Sequence, residues 1–227
     1  MILYYLFFFI IGTCYASFFV TIGQRWAGQN CHCSRSQCPF CHHVLRWWQL
    51  IPLVGWAWQA GRCRDCQKLI SPFSSVCELL CGACFTIMAQ WPLVDWCVIF
   101  VTSASLLVMS ATDWQAQWIS PLCLTGLFPL YHLFGQLPLN EVIFGIIPLS
   151  VLLAIAAKQG LLGAGDCEFL VVLLISVGPF HAAVIVMIAS LAFLIYVSIT
   201  GNWQKRLPFI PWLSLGTTYL FINQVLK

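Results

Sequence analysis

Residues 169–204 read Phe-Leu-Val-Val-Leu-Leu-Ile-Ser-Val-Gly-Pro-Phe-His-Ala-Ala-Val-Ile-Val-Met-Ile-Ala-Ser-Leu-Ala-Phe-Leu-Ile-Tyr-Val-Ser-Ile-Thr-Gly-Asn-Trp-Gln, 36 positions without a single Asp, Glu, Lys or Arg. The stretch is too long for one membrane span of about 20 residues. Val177-Gly178-Pro179 supplies a turn that divides it in two. The runs are continuously apolar rather than alternating, which argues for helices and against barrel strands. Outward from this stretch the pattern repeats. Residues 1–24, 96–112, 114–140, 142–157 and 207–226 carry no charge, and Glu78 stands alone between Lys68 and Asp95. The expected fold is all-α, a polytopic membrane helix bundle of about eight spans: 2–22, 70–90, 94–112, 118–136, 140–157, 166–178, 181–200 and 208–225.

Composition agrees. Of 227 residues, 61% are hydrophobic and 7% charged, with a mean hydropathy of +0.89. A soluble domain is about 25% charged, so too little polar surface exists here to cover one. Disordered and collagenous chains fail on the same numbers. The formal net charge of +3 argues for no polyanionic partner, so no nucleic acid is expected; the lipid bilayer is. The N-terminus lacks a basic segment and its apolar run exceeds the usual 7–15 residues of a signal peptide, so it reads as a retained first span.

Six of the ten basic residues, Arg25, Arg35, Arg46, Arg62, Arg64 and Lys68, lie within residues 25–68. The positive-inside rule places that loop in the cytoplasm. Alternating eight spans then puts Asp113, Lys158, Asp166, Lys205 and Arg206 on the cytoplasmic side, and Asp95, Glu141 and Lys227 outside. The expected division is 1–24 as the first span, 25–68 as a cytoplasmic zinc-ribbon-like loop, and 69–227 as a membrane core. The expected location is the cell membrane, crossed many times.

The loop holds two C-x-x-C turns, Cys38-Pro39-Phe40-Cys41 and Cys63-Arg64-Asp65-Cys66. Two such turns present four thiolates to one tetrahedral ion, so Cys38, Cys41, Cys63 and Cys66 are the candidate ligands of a structural zinc. Cytoplasmic thiols favour this over disulfides. Cys31, His32 and Cys33 are alternative ligands. The tract from Trp47 to Trp58 is too short to span and either lies at the membrane interface or packs around the knuckle.

Carboxylates at a membrane edge are rare and mark function. Asp113 ends the third span in Ala111-Thr112-Asp113-Trp114, and Asp166 opens the sixth in Gly163-Ala164-Gly165-Asp166. They lie 53 residues apart in sequence, yet the topology puts them at one face. Two carboxylates around one water form an aspartic-peptidase site: the pair shares a proton, the ionised member takes a proton from the attacking water, and the protonated member polarises the peptide carbonyl. Gly163 and Gly165 let backbone approach a substrate without an intervening side chain. Either aspartate alone also reads as a helix cap.

In order, the chain resembles the bacterial type IV prepilin leader peptidases, membrane aspartic peptidases of the Gly-x-Gly-Asp class. The resemblance runs through Gly12, Ser17-Phe18 and Arg25; Ser34-Arg35-Ser36-Gln37-Cys38-Pro39-Phe40-Cys41; Ile51-Pro52; Gly61-Arg62-Cys63-Arg64-Asp65-Cys66; Ile70-Ser71 and Glu78; Asp113 with Ile119-Ser120-Pro121; and Gly163-Ala164-Gly165-Asp166. It implies removal of short basic leaders from prepilin or pseudopilin precursors at the cytoplasmic membrane face, by Asp113 and Asp166. The small chain and compact loop are most like Gram-positive members that serve competence pseudopili. Many members also methylate the new N-terminus with S-adenosylmethionine. Where the family often has Lys two residues after the second aspartate, this chain has Glu168, and no Rossmann-type glycine loop is visible. Two other readings remain: an intramembrane peptidase of the presenilin type, against which the four-cysteine loop argues, and a non-enzymatic membrane assembly or transport protein with a zinc-binding loop.

Overall fold

The computed structural model describes residues 1–28, 35–90, 93–134, 137–201 and 207–225. It divides into two compact units, Met1–Gln90 and Trp91–Lys227. Among the described residues there is no strand, only two isolated antiparallel bridges, Gln37 with Val44 and Arg62 with Leu69. The fold is all-α.

In the first unit, α1 (Ile2–Ala27) packs along α3 (Phe73–Met88), with the short α2 (Val54–Trp58) in the loop between them. The buried face of α1 is Gly12, Thr13, Ala16, Val20 and Gly23, a stripe of small residues at helical spacing. It meets α3 at Cys81, Gly82 and Phe85. A Cβ at Gly12 would fall 2.8 Å from the Cys81 carbonyl oxygen and 2.9 Å from Gly82 Cα, and one at Gly82 would fall 2.8 Å from Thr13 Cγ2. Lipid tails give helices no hydrophobic reason to associate, so close backbone approach through small residues takes over.

The second unit holds α4 (Leu93–Ala116), the short α5 (Pro121–Leu124) and α6 (Leu130–Phe134), α7 (Leu139–Glu141) continuing through a π-helical turn at Val142–Ile146 into α8 (Ile147–Lys158), then α9 (Ala164–Thr200) and α10 (Ile210–Val225). The helix α9 is not straight. Gly178 sits at φ 81, ψ 166, outside helical space and in a region that favours glycine, and Pro179 follows it. A straight helix would separate residues 166 and 196 by roughly 45 Å. Both ends instead reach the same end of α4. Gly165 lies against Ile119, just beyond α4, and the Tyr196 ring lies 6.4 Å from the Trp114 ring. The chain therefore doubles back at Gly178, where the sequence places its turn.

Among the described residues, four helices are long and apolar enough to cross a membrane: Ile2–Ala27, Trp96–Ala116, Leu139–Lys158 and Ala164–Thr200. The chain is a multi-pass membrane protein. By this measure the count of eight spans is not reached. Phe73–Met88 and Pro121–Phe134 are shorter apolar helices, and Ile210–Val225 has 16 residues. Pro121 opens α5 at its first position, while Pro129 cannot donate a backbone hydrogen bond and stands before α6; a 3-10 turn at Thr125–Leu127 lies between the two pieces.

Candidate functional site

Asp113 lies in the last turn of α4 and is buried, 6% exposed. Its Oδ2 accepts the Ile210 backbone N–H at 3.0 Å. Ile210 opens α10, and the first backbone N–H groups of a helix have no partner within it. The carboxylate fills that vacancy and ties the end of α4 to the start of α10. Around this junction Trp114, Tyr196 and Trp212 form an aromatic cluster, with Tyr196 and Trp212 rings 5.0 Å apart.

Asp166 occupies the first turn of α9, where Gly163 is the N-cap residue and no side chain caps it. It is half-buried and within electrostatic range of Asp113. The fold thus brings the two predicted aspartates to one end of the second unit. They differ in setting: Asp113 is buried and anchored, while Asp166 is more open. The two glycines also differ. A Cβ at Gly163 would sit 3.1 Å from Asp166 Oδ2, beside the carboxylate, whereas the space beside Gly165 is occupied by Ile119 Cδ1, 2.7 Å from such a Cβ. Glu168 is exposed. Two residues along a helix it stands about 200° round the axis from Asp166, so its charge faces away from the pair.

In the first unit the four cysteines converge. The Sγ atoms of Cys38, Cys41, Cys63 and Cys66 all lie within 4.8 Å of one another, with Cys38–Cys66 and Cys41–Cys63 each at 3.9 Å. Tetrahedral thiolates at the usual zinc–sulfur length stand about 3.8 Å apart, so the cluster could hold such a metal ion. Its two halves are built alike. Cys38 N–H donates to His43 O and His42 N–H to Cys38 O; Cys63 N–H donates to Lys68 O and Gln67 N–H to Cys63 O. His42 and Gln67, each following the second cysteine of its turn, both take positive φ, 56 and 57. Burial pushes the Cys38 thiol up, but hydrogen bonds from the backbone N–H groups of Cys41 and Phe40 outweigh it, leaving the group at about 7. The alternative ligands Cys31, His32 and Cys33 lie outside the described residues.

Part of the Trp tract packs within the loop. Trp56 donates to the Ile70 carbonyl at 3.5 Å and Trp48 lies beneath the Arg64 guanidinium, whereas Trp47 and Trp58 are largely exposed. Glu78 is buried without a basic partner from Arg62 or Lys68: its Oε2 accepts Leu53 N–H at 2.8 Å and its Oε1 accepts the Ser74 hydroxyl at 3.2 Å. Neither this clasp nor the Asp113–Ile210 bond was legible in the sequence, because each joins a side chain to a backbone group far along the chain.

Residues 10–91 match the Bacterial Peptidase A24 N-terminal domain and residues 100–198 match the Type IV leader peptidase family. The chain belongs to the type IV leader peptidase family. The two matches fall on the two compact units. Among relatives, the Type 4 prepilin-like proteins leader peptide-processing enzyme of Escherichia coli O78:H11 is 34% identical over 82% of this chain and 76% of its own length. A Prepilin leader peptidase/N-methyltransferase of Aeromonas salmonicida is 29% identical, over 80% of this chain and 69% of its length. That of Bacillus subtilis is 26% identical but aligns over 96% of this chain and 95% of its own. No solved structure matches the chain. Family membership disfavours the non-enzymatic alternative.

Proposed function

We propose that this chain is the aspartic endopeptidase that removes the short leader from type IV prepilin or pseudopilin precursors at the cytoplasmic membrane face, with Asp113 and Asp166 as its catalytic pair. The observation that carries the reading is the approach of these two carboxylates at the joined ends of α4, α9 and α10. One water between them is activated by the ionised member while the protonated member polarises the scissile carbonyl. Such a dyad titrates as a unit, so neither role is fixed to one residue. The Ile210 N–H holds Asp113 in place through the cycle. A membrane-embedded substrate helix with its leader at the bilayer edge would present the scissile bond at this end of the bundle. Functionally, 1–24 serves as the first span, 25–68 as the cytoplasmic metal-binding loop and 69–227 as the peptidase core.

Zinc is the metal we propose for Cys38, Cys41, Cys63 and Cys66. Four thiolates leave no open coordination position, so its role is to fold the loop. Relatives carry N-methyltransferase in their names, and S-adenosylmethionine is the methyl donor implied for such a step. Among the described residues, one cavity is lined by Arg25, Arg35 and apolar side chains and another by Phe128, Tyr131 and aliphatic residues. Neither of these two cavities offers a carboxylate for ribose hydroxyls, so neither fits that cofactor.

The test is cleavage of a membrane-inserted pseudopilin precursor by the full-length protein, read by the shift in precursor mass. Leader removal that depends on both aspartates is expected. Intact precursor after prolonged incubation with correctly inserted protein would reject the assignment.

A further inference from the structure

A cavity of about 360 Å³ in the first unit has no part in cleavage or metal binding. It is bounded by Arg25, Arg35, Ser36, Leu45, Trp47 and Leu50, and its size falls within the roughly 300–1,000 Å³ of small-ligand sites. Its wall has two kinds of chemistry. Two guanidiniums and a hydroxyl form one part, and Leu45, Trp47 and Leu50 form the other.

The polar part is held in place. Arg25 Nη2 donates to Ser36 Oγ at 3.4 Å, and the Ser36 carbonyl accepts Leu45 N–H at 2.9 Å, at the base of the first cysteine turn. The charge is one-sided. No acidic residue lines the cavity, and residues 1–64 contain no Asp or Glu at all. Arg25 and Arg35 both line this cavity, so an oxyanion entering it meets two guanidiniums. Planar guanidinium forks match phosphate oxygens in particular.

The location narrows the anion further. Arg25 is in the last turn of α1, a helix long and apolar enough to cross the membrane. The apolar wall runs onto Trp47 and Leu50, which are 78% and 48% exposed. Tryptophan at the end of a span marks the headgroup level, and basic pockets beside spans take anionic headgroups. A free phosphate has no use for the apolar wall. We propose that this cavity binds the headgroup of an anionic phospholipid, with Arg25 and Arg35 on the phosphate oxygens and Trp47 and Leu50 against the start of the acyl chains.

The full-length protein in a neutral detergent is titrated with phosphatidylglycerol, phosphatidylcholine or inorganic phosphate, and bound lipid is counted by native mass spectrometry. Phosphatidylglycerol is expected to bind about 30-fold more tightly than phosphatidylcholine, the contribution of two basic residues near a headgroup. Arg25→Gln and Arg35→Gln should each reduce that preference by about 5-fold. Arg35→Lys, which keeps the charge and is the gentler change to the fold, should retain part of it. Arg64→Gln removes the same charge from the same loop and should leave the preference intact. Equal binding of the two lipids overturns the proposal. So does an equal loss in Arg64→Gln, which would indicate diffuse attraction. Displacement of phosphatidylglycerol by inorganic phosphate at equal concentration would assign the cavity to a free anion instead of a lipid.

Discussion

The cysteine cluster and the aspartate pair are the two places where this chain gathers chemistry, and they are assembled in opposite ways. Each half of the cysteine cluster is a local turn: six backbone positions fix two sulfurs, and the same hydrogen bonds recur at Cys38–His43 and Cys63–Lys68. The aspartates come from helix ends 53 residues apart, held by a third helix through Ile210 and by the fold-back at Gly178. A site made of turns is closed and saturated, suited to holding a structure. A site made where separate helices end leaves room for water and a substrate. The difference suggests that damage to the first lowers stability, while damage to the second stops chemistry with the fold intact.

The sharpest way to break this contrast is at the pair itself. Asp113→Asn and Asp166→Asn keep shape but remove the shared acid–base function, and each should slow leader removal by about 10²–10⁴-fold. Because Asn also offers an oxygen to Ile210 N–H, Asp113→Asn should insert and melt much like the parent. Asp113→Ala loses that bond as well and should add a stability loss of about 1.5–3 kcal/mol, the worth of a hydrogen bond to a charged group. Near-normal processing in either Asn variant would mean that the chemistry lies elsewhere.

These differences also decide what was readable beforehand. The charge-free runs marked the positions of the helices because a membrane allows little else. The Gly178-Pro179 break was legible because a positive-φ glycine beside a proline leaves helical space wherever it occurs. The C-x-x-C turns were legible because their geometry is local. The 3-10 turn at Thr125–Leu127 and Pro129, by contrast, divide residues 121–134 into pieces too short to count as one span, which apolar content alone concealed. The anchor of Asp113 stayed hidden because a backbone N–H has no sequence signature. Glu78 is visible in the sequence as a lone charge in an apolar run, but its partners, the Leu53 N–H and the Ser74 hydroxyl, have no sequence signature.

The next prediction tests the closed half of the comparison. Replacing Cys38 and Cys41 together by Ser should release about one zinc per chain, read by metal analysis of protein purified under reducing conditions. The loop should become protease-sensitive, since structural metal contributes folding energy directly. Cleavage should fall less than in the aspartate variants. Loss as large as theirs would show that the cluster serves the chemistry and would erase the distinction drawn here.

A smaller effect separates packing from substrate contact at the open half. Gly165→Ala places a methyl 2.7 Å from Ile119 Cδ1, the end of a movable side chain. Overpacking of this kind costs about 1–3 kcal/mol. Ile119→Val removes Cδ1, so the double variant should recover most of the lost stability and activity. If KM stays raised in the double variant while the melting temperature returns, the space beside Gly165 is needed by the substrate as well.

The smallest effect concerns the clasp between α3 and the loop. Leu53 is held at φ 60, ψ −51, a backbone conformation costly for a residue with a side chain, and its N–H is bonded to the buried Glu78. The carboxylate therefore does two things: it satisfies the N–H and holds the strained turn that precedes α2. Glu78→Gln keeps one oxygen acceptor and should cost about 1 kcal/mol or less, whereas Glu78→Ala should cost about 1.5–3 kcal/mol. Tryptic cleavage at Arg46, Arg62 and Arg64 reads the opening of the loop, which should rise by about tenfold for each 1.4 kcal/mol lost. Leu53→Gly removes the conformational strain. Added to Glu78→Ala, it should return part of the protection, because the clasp then has less strain to oppose. No difference between the single and double variants would show that Glu78 acts through the Ser74 hydroxyl alone.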